Sequence, residues 1–144
     1  FDDTHLKTII HPAGPVASAI MALAEHQGLL SDPLFAARYA ELALDVSDLV
    51  SAYTHFADIV KRGEVLPPSV SLLKIWATDT YQRICTLLVE AAQEHGATGQ
   101  TKDFGPAGLN VPAILFNAIP STIYGGSTEI QKEIISKNVL RLPD

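Results

Sequence analysis

The sequence predicts an all-α fold, an up-down helical bundle. Two long segments, residues 33–60 and 69–94, repeat apolar residues at alternating spacings of four and three, the pattern of a helix with one apolar stripe. A short linker containing glycine and proline joins them, which predicts antiparallel neighbouring helices. No segment shows the apolar–polar alternation of a half-buried strand. A coiled-coil oligomer would share this spacing, but one stripe per helix favours packing within a bundle.

The first two helices have clear ends. A short helix in "PVASAIMALAEHQG" ends at Gly28. The next begins after Asp32, a good N-cap that is followed by proline, and ends at Lys61, Arg62 and Gly63. Its stripe consists of eight side chains: Phe35, Tyr39, Leu42, Val46, Leu49, Tyr53, Phe56 and Val60.

The third helix is predicted from about Ser69 to Glu94 and stops at Gly96. Trp76 and Tyr81 flank its apolar stripe, where core or interface packing is the ordinary interpretation. A polar, glycine-rich loop, "GATGQTKDFGPAGLNVP", follows this helix.

Two further helices complete the chain. A brief apolar helix is predicted at Val111 to Ala118, closed by Pro120. The last helix is predicted to start near Ser127, with Ser127 as its N-cap, and to end before Pro143. Two adjacent glycines precede Ser127 in "IYGGSTEIQKEIISKNVL". They either turn a corner or bring bare backbone and helix N–H groups close to an anion or an electron-rich ring.

Composition limits the class of protein. The 144 residues suit one domain, 47% of them are apolar, and the net charge is −6 with no basic run. Nucleic acid and an anionic membrane surface are therefore excluded as expected partners. A single cysteine, Cys85, excludes an internal disulfide and fits a reducing, cytoplasmic location. The longest apolar stretch, residues 16–24, is too short to span a membrane.

Common catalytic signatures are missing from the sequence. It contains no P-loop, no GxGxxG, no CxxC and no HExxH, and its five histidines lack the spacing of a metal site, so no metal is predicted. Ser127 lacks the strand and motif of a nucleophile elbow, and Cys85 is expected to be a packed thiol. The acidic residues Glu41, Asp45 and Asp48 lie off the apolar stripe and are expected on a solvated face.

Two stretches carry a resemblance to a known family. "IYGGSTEIQKEIISKNVLRLP" closely resembles the C-terminal signature of the acyl-CoA dehydrogenase flavoenzymes, I-Y-(E/G)-G-(T/S)-x-E/Q-I-Q. "PSVSLLKIWATDTYQRICTLLVEAAQEHGATG" resembles the family's SxxK helix and the Q-x-x-G-G-x-G loop after it. Gln93, His95, Gly96 and Gly99 match that loop, whereas Ala97 stands at its second glycine. The resemblance covers nearly the whole chain and implies the family's four-helix C-terminal domain.

The resemblance implies FAD as cofactor and the α,β-dehydrogenation of an acyl-CoA thioester, with electrons passed on to an electron-transfer flavoprotein. It places one loop at the FAD of a neighbouring subunit: Gln93, Glu94, His95, Gly96 and Ala97. It places Ser127, Thr128 and Glu129 at the chain's own FAD, and Tyr124, Gly125 and Gly126 at the substrate. It also implies a homodimer or homotetramer, for which Trp76 and Tyr81 are expected to be exposed.

The chain departs from the family at the catalytic base. Gly125 stands where many members carry the glutamate that removes the α-proton, and glycine cannot do so. Other members take the base from an earlier helix, near which Asp2 falls, so Asp2 is the candidate base. The family's R-x-x-F-G stretch and its two N-terminal domains are missing, so residues 1–144 are expected to be one domain of a longer protein. The alternative is a non-catalytic subunit or helical interaction module that has lost the base. The acyl chain type stays open.

Overall fold

The computed structural model describes residues 13–104 and 107–143. Within them the chain forms five α-helices: α1 Ala13–His26, α2 Pro33–Lys61, α3 Ser71–Ala91, α4 Val111–Ala118 and α5 Thr128–Asn138. Short 3-10 turns connect them at Leu29–Ser31, Pro68–Val70, Gln93–Ala97 and Ile119–Thr122. The predicted all-α fold is confirmed, and each of the five predicted helices is present.

Helix α3 is the centre of the domain, because it packs against each of the other four helices. Leu42 of α2 shares a buried cluster with Leu88 near the end of α3, whereas Leu49 shares one with Leu73 near its start. Later residues of α2 therefore meet earlier residues of α3. The two long helices are antiparallel neighbours, as the short linker predicts.

The ends of α2 follow the predicted signals. The Asp32 carboxylate accepts a hydrogen bond from the backbone N–H of Leu34 at 2.9 Å. At the other end Gly63 has φ +73, and the N–H groups of Gly63 and Glu64 donate to the carbonyls of Val60 and Ile59 at 2.9 and 3.1 Å. This pair of bonds is a Schellman motif, which needs glycine in the left-handed conformation.

The apolar stripe of α2 is confirmed except in its last turn. Phe35, Leu42 and Leu49 are buried, but Val60 is 55% exposed and Ile59 is buried instead. The cluster between α2 and α3 ends at Phe56 on α2. Beyond that point the four–three spacing no longer determines which side of α2 is covered.

The boundaries of α3 differ from the prediction of Ser69 to Glu94. The helix starts at Ser71, after a 3-10 turn that begins at Pro68, and it ends at Ala91. Gln93 has φ +52, a left-handed conformation that cannot continue a right-handed helix. Gln93 is the first residue of the 3-10 turn Gln93–Ala97.

The expectation of no strand is wrong at one place. Lys102–Phe104 and Ala107–Leu109 form a small antiparallel hairpin, in which Lys102 pairs with Leu109 and Asp103 with Gly108. Each strand is three residues long. Strands this short cannot show a period-two pattern, so hydrophobic alternation does not detect them.

Two predictions about side-chain exposure are also wrong. Trp76 and Tyr81 are half-buried rather than exposed, with Trp76 packed against the cluster around Leu73. Asp45 is half-buried rather than exposed and forms an ion pair with Arg83 at the surface. Exposed pairs of this kind contribute about 0–1 kcal/mol each.

Two other predictions on the acidic face can be compared with the structure. Asp48 is exposed, as expected. Glu41 is exposed as well, but a carboxylate oxygen lies 3.6 Å from Arg83 of α3. The acidic face of α2 therefore contributes ion pairs along the edge between the two long helices.

Candidate functional site

The glycine turn, defined here as Tyr124, Gly125 and Gly126, has an unusual backbone. Gly125 has φ +71 and Gly126 has φ +91, both in the region that L side chains rarely adopt. A Cβ on Gly126 would lie 2.5 Å from Nε2 of Gln131, whereas a Cβ on Gly125 would meet only Cε of Lys74, at 3.7 Å. The conformation therefore requires glycine at both positions, and the space beside Gly125 is open.

Helix α5 starts immediately after the turn, with Ser127 as its N-cap. The Ser127 hydroxyl oxygen accepts a hydrogen bond from the backbone N–H of Ile130 at 3.4 Å, which confirms the predicted cap. Helix N-termini carry partial positive charge, so they attract electron-rich groups.

Glu129 changes what this helix end can accept. Hydrogen bonds from its own backbone N–H and from the Ser127 hydroxyl hold the pKa of the Glu129 carboxyl below its usual value. A carboxylate is therefore present at the helix end at neutral pH. It would repel a phosphate, whereas an uncharged acceptor on an aromatic ring meets no such repulsion.

Lys74 of α3 lies beside the glycine turn. Its ammonium donates a hydrogen bond to the Ser121 carbonyl and lies 5.5 Å from the centre of the Tyr124 ring, within cation–π range. Burial lowers the pKa of the half-buried lysine. Sequence reasoning assigned no role to Lys74, although a lysine inside the apolar run of residues 72–76 was a visible signal.

The second predicted loop follows the end of α3. Gln93 and Glu94 are exposed, His95 is half-buried, and Gly96 is buried. A Cβ on Gly96 would lie 3.1 Å from the carbonyl carbon and Cγ1 of Val89, and closer still to the Val89 carbonyl oxygen. Glycine is needed here because the loop packs directly on the backbone of α3.

Contacts farther along fix this loop to the rest of the domain. The Thr98 backbone N–H donates to the His95 carbonyl at 3.3 Å. The Asn110 side chain donates to the Gly99 carbonyl at 3.1 Å and accepts from the Ala113 backbone N–H at 3.2 Å, which caps α4. The loop is therefore joined both to α3 and to the start of α4.

The two predicted binding segments lie at opposite ends of α3. Lys74, beside the glycine turn, and Ala91, next to the second loop, are separated by about 25 Å of helix rise. One chain does not bring the two segments together. Their assignment to FAD molecules bound in different subunits stays a prediction.

The remaining predicted groups are less informative. Asp2 lies outside the described residues. Cys85 is fully buried and its burial raises the pKa of the thiol to about 11, which confirms a packed thiol.

Across residues 13–104 and 107–143, no cluster of three or more His, Cys, Asp or Glu side chains could hold a metal. Within the same ranges, no helix is both long and apolar enough to cross a bilayer.

An apolar groove of about 440 Å³ opens between α2 and α3. Its lining is apolar except for one carboxylate: Ala52, Phe56, Leu72, Leu73, Ile75, Trp76 and Asp79. Trp76 and Asp79 point away from Lys74 on the wheel of α3, since each residue turns the helix by about 100°. The groove is therefore separate from the glycine turn.

Comparisons with known proteins support the resemblance. Solved structures that match the fold include the Tcur3481-Tcur3483 steroid ACAD and a glycine-to-alanine variant of it, each with a TM-score of 0.77 and 16% sequence identity. The matches cover 91% and 94% of this chain but only 34% and 37% of those chains, so this chain spans about a third of their length. No curated protein shows significant similarity to it. The family model described as acyl-CoA dehydrogenase, C-terminal domain, matches residues 17–140. The chain therefore belongs to the acyl-CoA dehydrogenase C-terminal domain family.

Proposed function

We propose that this chain is the C-terminal domain of an FAD-dependent acyl-CoA dehydrogenase, an oxidoreductase acting on the CH–CH bond next to a thioester. The observation that carries the proposal is the glycine turn. Two successive residues with positive φ leave bare backbone directly before a capped helix, which is the arrangement that the family signature implies. The domain alone is proposed to be inactive, because it covers about a third of the related structures.

The residues of the chain suit contacts to a flavin ring better than contacts to its phosphates. At the start of α5, the Thr128 N–H can donate to a neutral acceptor, whereas the Glu129 N–H and the Ser127 hydroxyl already donate to the Glu129 carboxylate. The Glu129 carboxylate disfavours a phosphate at the same place. When bound, FAD supplies the acceptor for the hydride that leaves the β-carbon.

The glycine turn would form one wall of the substrate pocket. Gly125 is exposed and has open space beside it, so the backbone there can come close to a thioester without a side chain in the way. Tyr124 is 47% exposed and presents a ring at the same surface. The second loop, Gln93–Ala97, would contact the FAD of a neighbouring subunit from the other end of α3.

Asp2 remains the candidate for the base that removes the α-proton. Glu129 lies three residues after Gly126, but the hydrogen bonds that lower the pKa of its carboxyl make it a weaker base. Aspartate reaches about 1.5 Å less far than glutamate, and a misplacement of about 1 Å can cost about a hundredfold in rate. To act as the base, Asp2 would therefore need its backbone closer to the substrate than the backbone of a catalytic glutamate.

The experiment uses the full-length protein that contains this domain. Acyl-CoA is mixed anaerobically with the purified flavoprotein, and bleaching of the flavin absorbance is followed in a single turnover. Asp2→Asn is expected to slow bleaching by about 10²–10⁴-fold, the usual contribution of a general base. Asp3→Asn is the matched control and should bleach at nearly the unmodified rate.

The absence of a side chain at Gly125 favours a second candidate, a non-catalytic subunit that keeps the bundle. Because one matching structure is named a steroid ACAD, a steroid thioester is one of the substrates to test. Under this alternative, no acyl-CoA would bleach the flavin of the purified protein alone. Activity would appear only when a partner subunit is added. A protein without flavin absorbance, alone or with a partner, would contradict both candidates and would favour a helical interaction module.

Association with other subunits is part of the proposal, as is reoxidation by an electron-transfer flavoprotein. Trp76 and Tyr81 are half-buried, so other apolar side chains would have to supply an interface. Phe116 is 66% exposed and Ile123 is 69% exposed, so both side chains are free to contribute to an interface. Sedimentation equilibrium is expected to show a dimer or tetramer, and a monomer at high concentration would contradict this.

A further inference from the structure

The segment that leads into the glycine turn is held by side chains of α3. The 3-10 turn Ile119–Thr122 exposes its own carbonyls to the neighbouring helix. Gln82 donates a hydrogen bond to the Ile119 carbonyl at 3.4 Å, and Lys74 donates one to the Ser121 carbonyl. Both donors come from α3, the most extensively packed helix of the domain. Side chains of α3 therefore hold this segment in addition to its own local hydrogen bonds.

Lys74 makes three separate contacts in this region. Its ammonium binds the carbonyl that precedes the turn and lies over the ring of Tyr124, the first residue of the turn. Its Cε lies 3.7 Å from where a Cβ on Gly125 would stand, so the lysine stem borders the space above that glycine. Gln131 adds a long hydrogen bond, 3.5 Å, to the Gly125 carbonyl.

Consecutive glycines make this restraint necessary. Gly125 and Gly126 have no side chains that could pack, and glycine loses more backbone freedom on folding than any other residue. The turn must therefore be fixed by groups outside it. A half-buried ammonium is costly unless it has polar partners, and here its partners are a carbonyl and a ring belonging to this region.

We propose that Lys74 is a positioning residue, which holds the backbone of the glycine turn in the shape that a substrate would meet. The consequence for catalysis rests on the proposed function. The restraint on the turn itself does not, because it follows from contacts within this chain. Lys74 acts here through Ser121 and Tyr124 and is not proposed as an acid or base.

Hydrogen exchange of the full-length protein tests the restraint directly. The backbone N–H groups of Ile123 and Tyr124 donate to the Pro120 carbonyl at 2.9 and 3.2 Å, so their exchange reports on opening of this segment. In Lys74→Met, a peptide covering residues 119–128 is expected to exchange about tenfold faster or more, the effect of losing a hydrogen bond to a charged group. A peptide covering residues 42–53 of α2 should keep its rate.

Two further variants make the result specific. Lys102→Met, at an exposed lysine of the hairpin, should leave exchange of residues 119–128 unchanged. Lys74→Arg keeps the cation and should restore most of the protection. Unchanged exchange in Lys74→Met, or equally faster exchange in both peptides, would overturn the proposal, since the second result means general destabilisation.

Kinetics of the flavin-loaded enzyme separate this inference from the proposed function. If the turn lies beside the reacting thioester, Lys74→Met lowers kcat by up to about a hundredfold, more than it changes KM, and Lys74→Arg recovers part of the loss. Faster exchange together with unchanged kcat would support the restraint and contradict the placement of the turn at the substrate.

Discussion

Gly96 offers the sharpest test of how the second loop is built, because its need for glycine has one physical cause. Its φ is not in the left-handed region, so backbone strain is not involved. An added Cβ would instead lie 3.1 Å from the carbonyl carbon and Cγ1 of Val89, with the Val89 carbonyl oxygen nearer still. The clash is with the backbone of α3, which cannot rotate away as a side chain can.

We therefore expect Gly96→Ala to destabilise the domain by about 1–3 kcal/mol, the usual cost of overpacking a tight site. Gly99→Ala is the matched control in the same loop, since a Cβ there would meet nothing within 4 Å. That change should be neutral or stabilise by about 0.4–1 kcal/mol, because alanine restricts the unfolded chain. The free energies of unfolding of the two variants should therefore differ by at least about 1 kcal/mol.

Urea unfolding followed by circular dichroism measures both variants, and the fluorescence of the single tryptophan, Trp76, gives a second probe. Agreement between the two probes supports two-state unfolding, which the comparison requires. Equal midpoints and slopes for Gly96→Ala and Gly99→Ala would refute the steric explanation. The glycine would then need another reason, such as close approach of a ligand.

Three other predictions concern the core and the turn. Leu88 is fully buried, so Leu88→Ala should lower the free energy of unfolding in urea by about 2–5 kcal/mol. Leu44 is 68% exposed, so Leu44→Ala should lower it far less. Equal losses would contradict the assigned core. Burial raises the pKa of the Cys85 thiol to about 11, so the folded protein should resist a thiol reagent at pH 8 and react once unfolded. The unfolded thiol ionises first, so stability should fall between about pH 9 and pH 11, and this fall should be smaller in Cys85→Ala. Gly125→Ala should cost about 1–2 kcal/mol despite its open space, because φ is +71; a neutral result would show that the turn relaxes readily.

The helices could be predicted from the sequence because their signals are local. The stripe from Phe35 to Phe56 and the N-cap at Asp32 depend only on spacing and residue type. The last turn of α2 and the end of α3 were predicted wrongly for non-local or conformational reasons. The last turn of α2 is exposed differently because its packing against α3 ends at Phe56. Helix α3 ends earlier because Gln93 has a left-handed backbone.

The candidate site was predictable only in part for the same reason. The glycine turn and the Ser127 cap lie next to each other in the sequence, and both are confirmed. Lys74 is 47 residues from Ser121, so only packing of α3 against the chain before α5 reveals their contact. Spacing along a sequence contains no information about that pairing.

The glycines of the two loops carry different weight for function. Gly96 is explained completely by packing on α3, so its match to the family loop would exist even without a nearby cofactor. Gly126 is constrained by its own backbone, with φ +91, whereas the nearby Gln131 amide is the end of a flexible side chain. Gly125 is different, because its positive φ requires glycine there, while within the described residues only the end of the Lys74 stem lies within 4 Å of an added Cβ. The case for a ligand therefore rests on Gly125. If Gly96→Ala weakens flavin or substrate binding, the result would indicate a binding site at Gly96 only if the loss of binding free energy is larger than the loss of folding stability.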